Sequence, residues 1–488
     1  MTLRFPDGSF EVTGPLLGFD GQSYRVDTRF GVLTLDRDGV DCTGACPGPD
    51  FIPEIRFSGA VSLADVLVPA LVDAFAGTLG LRAVVEPADD GELRFLLSEP
   101  EGRAYARFVI RRGSTADGVA DLIAGRSDLV LADRPLTADE VAQVREAGLG
   151  DLSDRHRRRL IGKRDLRLVV PDRGDATPLH VGQVVDVLSG DVTGWSDLGR
   201  DGGAITVHAL GEEIDQVRAR LTSLARFVGR TATLGPVVAH ESPEAIVQAL
   251  ADTPGALALT AQTIFSGTVV PVVAACPEGQ DQAFLPSGLG PLTARFWIMS
   301  GAPRLPDIAR AFLVYAAGPG AQRVVDRAGF IDKRPDPVTL SQQGARIAQA
   351  VLAADEDGDV ARLQRMLRAL VGAERLTVTF RFVPATARLD AESISELQVL
   401  AAILDSGLYD GRELIFAGFT DSDGSAADNQ RLSDTRAVRV REAVEAAMAT
   451  QASRVDMVSF GFGEAMPLAC EGDGYGRHVN RRVEVWLR

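Results

Sequence analysis

The tightest constraint on what this chain can fold into lies near its C-terminal end. It is the run Ala417-Gly418-Phe419-Thr420-Asp421-Ser422-Asp423-Gly424, followed by Asn429, Leu432-Ser433 and Arg436-Ala437. Ile415-Phe416-Ala417-Gly418 reads as a strand that ends in a polar, glycine-containing loop, and residues 429–447 read as a helix with Leu432, Val440 and Val444 turned inward. Asp421 then lies in a strand-to-helix loop and Arg436 lies about two turns into the helix that follows. A loop of this kind can fold back so that the carboxylate and the guanidinium share one pocket. Further on, Gly461-Phe462-Gly463-Glu464 and Asn480-Arg481-Arg482-Val483-Glu484-Val485 extend the pattern in a fixed order.

Taken together, these strings resemble the GxTDxxG, N, LSxxRA, GxGE and NRRVE elements of OmpA-like peptidoglycan-binding domains. The resemblance covers residues 373–488 and implies a βαβ fold. In that family the residues matching Asp421 and Arg436 hold diaminopimelate of the peptidoglycan stem peptide, and those matching Thr420 and Asn429 line the same site or orient its loop. The chemistry agrees: diaminopimelate carries both an ammonium and a carboxylate, so a binder needs an acceptor beside a planar, bidentate donor. An internal salt bridge between Asp421 and Arg436 is the plainer alternative. Asn480, Arg481 and Arg482 read as structural, with an arginine of the terminal strand expected to pair with a carboxylate such as Glu464. The chain departs from the family at Phe419, where many members have His, and at Val383-Pro384-Ala385, where many have an Asp-containing turn.

From Ile52 to about Lys333, short β-like runs alternate with amphipathic helical stretches, an α/β texture. Leu63, Val66, Leu67, Ala70, Leu71 and Phe75 are expected to form one apolar helix face, and Leu129–Leu131, Leu166–Val170 and Ala256–Leu259 to form buried strands. Three ordered elements carry a second resemblance: Ser58-Gly59 leading to Pro69-Ala70-Leu71; Gly113-Ser114-Thr115 with residues 121–128 and Arg134-Pro135-Leu136; and Val187–Gly190 with Trp195–Gly199. They are similar to elements of phosphate-type, PstS-like periplasmic substrate-binding domains, which implies a two-lobed body. Such folds grip oxyanions with hydroxyls and backbone N–H groups at helix N-termini. The resemblance makes Ser58, Ser62, Ser114, Thr115, Arg134 and Asp165 the candidate ligand shell for phosphate or another small oxyanion. Asp133 and the pair Glu212-Glu213 stand where relatives carry small hydroxyl residues, and added acid repels an anion.

The remaining sequence bounds the alternatives. A formal net charge of −16 argues against nucleic acid as a partner, and the basic run Arg155-His156-Arg157-Arg158-Arg159 reads as a solvated face. No apolar stretch is long enough for a transmembrane segment, and the start MTLRFPDGSFEVTG lacks the form of a secretory signal. With the domain content, this points to a periplasmic or cell-envelope protein whose signal peptide has been removed. Cys42 and Cys46 enclose Thr-Gly-Ala, a turn able to close a disulfide or to leave two thiols, and Cys276 could pair with Cys470. The histidines are scattered, no catalytic or cofactor-binding string appears, and neither enzyme, metal nor cofactor is expected.

The expected organisation is a multidomain α/β and α+β chain. It comprises a small β module at 1–50 ending in Pro47-Gly48-Pro49, and a substrate-binding body at 51–335. Lobe 1 of the body covers about 51–134 plus 262–335, and lobe 2 about 135–261. A helical connector at 336–372 and the OmpA-like domain at 373–488 follow. The functional expectation is a peptidoglycan-tethered sensor or scaffold; the alternative is a phosphate receptor of an ABC transporter with a wall anchor.

Overall fold

Strands and helices alternate through most of the chain in a computed structural model, giving the mixed α/β, multidomain architecture that the sequence pattern predicts. The structure describes residues 1–19, 21–47, 51–88, 91–154, 157–172, 176–261, 267–276, 288–301, 305–339, 341–352, 354, 357–383, 386, 388–449 and 454–488. Gly48 and Pro49, Arg155 and His156, and Pro384 and Ala385 lie outside the described residues. The chain divides into two units, Met1–Ile161 with Phe296–Ala328, and Gly162–Arg295 with Gly329–Arg488.

In the first unit, two three-stranded sheets close over Leu3, Val12, Tyr24, Val26 and Val40, and a disulfide joins Cys42 to Cys46. A seven-stranded sheet follows, in which Glu54–Ala60 lies between Leu129–Ala132 and Ala104–Gly113. The rings of Phe57, Phe75, Phe108 and Phe312 pack together at its core. Val66, expected on the buried stripe, is half exposed. The turn Leu63–Leu67 is a π-helix, and its wider winding rotates that position outward.

In the second unit, Arg167–Val170 sits between Ala256–Thr260 and Thr268–Val270 in a five-stranded sheet flanked by the helices Val181–Ser189, Ile214–Phe227 and Pro243–Asp252. That pairing carries residues 268–270 into this unit, and the division falls at Ile161 and Phe296 rather than near 134 and 262. The same unit contains the C-terminal sheet, ordered Pro337–Val338, Glu374–Arg381, Arg482–Leu487, Glu413–Phe419 and Asp456–Gly461.

The two parts of this unit share a core. Leu468, Ala469, Tyr475 and Val479 pack in one cluster with Leu168, Val184, Leu221 and Leu257. A second disulfide joins Cys276 to Cys470, and the Tyr475 hydroxyl donates to Leu289 O at 3.0 Å. The buried Lys163 ammonium reaches Glu392 and Glu396 at 3.0 and 2.9 Å, and Arg295 also binds Glu392. Burial works against the Lys163 charge, but Glu396 and Glu392 more than offset it and hold its pKa above the usual value.

The expected connector is two helices, Gly344–Leu352 and Asp357–Leu370. They form part of the C-terminal fold. Leu414 and Phe416 of the strand Glu413–Phe419 face the helices Ala391–Asp405 and Ala426–Ala447. The alternate residues Ile415, Ala417 and Phe419 pack on Ala350, Leu363, Met366 and Leu370 of the connector.

Candidate functional site

Two glycines set the position of the helix that carries Arg436. A Cβ on Gly418 would come within 2.2 Å of Ser433 O, and one on Gly461 within 2.2 Å of the Asp434 nitrogen. The helix Ala426–Ala447 can therefore lie directly against the backbones of two adjacent strands. This docking turns Ser433, Arg436, Ala437, Val440 and Val444 inward. Leu432, expected inward, is 40% exposed because Ser433 takes the position against the strand.

The loop before the helix is tied down residue by residue. Thr420 N donates to Gly463 O at 2.8 Å, and Ser425 caps the helix by accepting from Asp428 N. Asn429 Nδ2 donates to Asp423 O at 3.1 Å and to Glu464 Oε1 at 2.6 Å, joining the loop to the turn after Gly461. Ser422 N and Oγ both donate to Glu471 Oε2, at 2.9 and 2.5 Å. Glu471 is in turn held by Asn480 Nδ2 at 2.7 Å.

Three charges meet inside this frame. Asp421, 6% exposed, accepts from Arg481 Nη1 at 2.6 Å. Arg436, 7% exposed, lies with its guanidinium 5.2 Å from the Phe382 ring centre. Burial, and then the neighbouring Arg481 charge, pull the Arg436 pKa below its usual value, while Asp421 acts in the opposite sense. Among the described residues, Arg436 Nε and Nη1 and Thr420 Oγ1 are buried without a hydrogen-bond partner. Each such group costs about 1–3 kcal/mol unless something meets it.

Sequence reasoning placed Asp421, Arg436, Thr420 and Asn429 together but read Arg481 as structural. Arg481 is the direct ion-pair partner of Asp421, and it comes from the end of the helix Gly474–Asn480. The expected pairing to Glu464 does not occur: Asn429 holds Glu464, while Arg482 is fully buried and binds Glu484 at 2.7 Å. Glu484 also takes Arg346 of the connector and Trp486 Nε1, a network that belongs to the core.

The six residues expected to hold an oxyanion are arranged differently. Ser58 Oγ donates to Asp121 Oδ2 at 2.6 Å, Thr115 Oγ1 donates to Asp133 Oδ1 at 2.8 Å, and Arg134 is clamped by Glu140 at 2.7 and 2.9 Å. Ser114 caps the helix Thr115–Ile123 in a reciprocal box with Asp117. Ser62 Oγ is buried without a partner among the described residues. Asp165 belongs to the second unit, where it accepts from Gly288 N and Thr293 Oγ1. The shell is thus not an open set of donors, because the chain's own carboxylates already satisfy Ser58, Thr115 and Arg134. Glu213 Oε1 likewise accepts from Ala261 N at 3.0 Å in the second unit.

Residues 81–264 match the family model of the PBP superfamily domain, and residues 381–481 match that of the OmpA family. Outer membrane porin F of Pseudomonas aeruginosa is 32% identical over 111 residues, 23% of this chain and 31% of that protein. Its counterpart in Pseudomonas fluorescens is 43% identical over 77 residues, 16% of this chain and 23% of that protein. The chain thus spans less than a third of the length of these relatives. Among solved structures, an ABC-type phosphate transport receptor from Vibrio cholerae is 16% identical, covering 57% of this chain and 99% of that one at a TM-score of 0.39. The periplasmic domain of Helicobacter pylori MotB is 17% identical, covering 25% and 81% at a TM-score of 0.20.

Proposed function

We propose that this chain, with a PBP superfamily domain at residues 81–264 and an OmpA family domain at 381–481, is a non-enzymatic cell-envelope protein that holds peptidoglycan. The observation that carries the reading is the Arg436 guanidinium, buried beside Asp421 with Nε and Nη1 unmet by any described residue. A carboxylate that docks on those N–H groups gains charge-assisted hydrogen bonds, and the ammonium of the same molecule meets Asp421. Diaminopimelate of the stem peptide supplies both groups. Arg481 orients Asp421 and adds a second cation, so the trio of Asp421, Arg436 and Arg481 carries an excess positive charge that favours a ligand with more carboxylate than ammonium.

The substrate-binding-type body then serves as a sensor or scaffold fixed to the wall. Inorganic phosphate is not its ligand in this reading, since Asp121, Asp133 and Glu140 occupy the hydroxyls and the guanidinium that would hold it. No helix among the described residues is long and apolar enough to cross a membrane.

Co-sedimentation with purified sacculi tests the assignment. Arg436→Ala and Asp421→Asn should each lower the bound fraction by at least tenfold with unchanged circular dichroism, in line with losing a charged hydrogen bond of about 1.5–3 kcal/mol. Full retention of binding by both variants would contradict it. Calorimetry with phosphate should give no heat of binding; a saturable phosphate isotherm would favour the receptor reading instead.

A further inference from the structure

The C-terminal sheet carries a buried arginine that the wall contact does not use. Arg381, 6% exposed, stands between Phe380 and Phe382, and both of these rings belong to the core that packs on Ala391–Asp405 and Ala426–Ala447. Alternation along the strand sends Arg381 to the face opposite the Phe382 ring, on which Arg436 rests. Its Nε and Nη2 are buried without a hydrogen-bond partner among the described residues. These are the two nitrogens whose N–H bonds run side by side along one edge of a guanidinium. That edge grips a planar carboxylate through two parallel hydrogen bonds, a match that a spherical ion does not make.

The chain's own carboxylates close to Arg381 are committed elsewhere. Asp390 and Glu392 both feel its charge. Glu392 gives one oxygen to Lys163 and the other to Arg295, and Asp390 accepts from Ser393 N at 2.8 Å as the cap of the helix Ala391–Asp405. Arg134 is the contrasting case, since Glu140 fills its guanidinium with two hydrogen bonds. The sign of the local field is read from His478, whose ring centre lies 5.2 Å from that of Phe227. Burial, and then the charges of Arg381, Arg481 and Arg295, pull its imidazole down to a pKa of about 3, with Glu392 opposing. The positive field that keeps this imidazole neutral favours an anion beside it.

We propose that the Nε–Nη2 edge of Arg381 binds a small free carboxylate, of about the size of acetate, where residues 162–295 meet the C-terminal fold. Lys163 and Arg295 reach this place from one part, and Arg381, Glu392 and His478 from the other. So little of the guanidinium is exposed that the occupant is a molecule of a few heavy atoms. Its charge offsets a buried cation, so its binding tightens the contact between the two parts. The site lies on the other face of the strand from the Asp421–Arg436 pair and does not depend on the wall-binding reading.

Melting of the full chain in sodium acetate, and in sodium chloride of equal ionic strength, tests this. The native chain should gain a few degrees in acetate, saturating with concentration, and nothing comparable in chloride. Arg381→Lys keeps the charge but loses the paired edge; it should bind sacculi as the native chain does and melt at one temperature in the two salts. As a readout independent of stability, the His478 ring signals in the NMR spectrum should shift on addition of acetate to the native chain and stay in place in Arg381→Lys. Equal melting of the native chain in both salts with unmoved His478 signals would overturn the proposal, and so would an acetate response that survives in Arg381→Lys. Loss of sacculus binding by Arg381→Lys would place the carboxylate on the wall peptide and overturn the separate site.

Discussion

Asp421 and Arg436 were legible in the sequence because the loop and helix that carry them are contiguous, so local spacing alone brings them to one place. Arg481 was not, because it reaches Asp421 from a helix sixty positions further on, and nothing local distinguishes it from its buried neighbour Arg482. The two arginines should respond differently to substitution. Arg481→Ala frees Asp421 and is expected to weaken muropeptide binding about tenfold with little change in melting temperature, as for loss of a partly exposed charged contact. Arg482→Ala leaves Glu484 facing fewer cations in a fully buried network and should cost about 3–5 kcal/mol of stability, read by chemical denaturation.

Thr115 was legible as a hydroxyl at a helix start, whereas Ser58, expected at one, lies inside the strand Glu54–Ala60; its carboxylate partner was not legible, since Asp121 lies 63 positions from Ser58. Glu213 adds a pH dependence of its own. Burial pushes its carboxyl up to about 7, against an ordinary value of 4.5. A raised folded-state pKa means that the neutral form fits the fold. Its stabilising contribution is complete below about pH 4.5 and is lost as pH rises through 7, to the extent of roughly 3 kcal/mol. Glu213→Gln should therefore melt close to the native chain at pH 5 and several degrees above it at pH 8. A constant difference across that range would contradict the assignment.

At the scale of elements, apolar alternation predicted most strands and helices, and the exceptions follow from how backbones approach one another. The orientation of Leu432 depended on Gly418 and Gly461 letting the helix sink onto two strands, which helical spacing alone does not specify. Gly418→Ala should lift that helix and reduce both stability and binding, since the added methyl meets a carbonyl oxygen at 2.2 Å. The stretch 336–372 was read from the sequence as a helical connector, and its helices cover Ile415, Ala417, Phe419, Phe462 and Trp486. A fragment beginning at residue 373 would expose that apolar face. It is expected to bind more of a hydrophobic dye than a fragment beginning at 336, in which the connector helices keep that face covered.

For the whole chain, the sequence indicated the domain types and their order but not that residues 162–295 and 329–488 form one unit. That association depends on Leu468, Tyr475 and Val479 completing a distant core, and on a disulfide between cysteines 194 positions apart. A covalent link closing so long a loop removes unfolded-state entropy worth about 5 kcal/mol. Cys276→Ser with Cys470→Ser should lower the melting temperature markedly, and a reductant should lower that of the native chain by more than that of the double variant, which keeps Cys42–Cys46. The central claim is that a carboxylate and an ammonium on one ligand carbon are met by Arg436 and Asp421. Calorimetric titration of the full chain with two muropeptides differing only in diaminopimelate or lysine at the third stem position tests it most directly. Lysine keeps the side-chain ammonium and lacks the carboxylate beside it, so the diaminopimelate form should bind at least tenfold more tightly; equal affinity for the two would contradict the account.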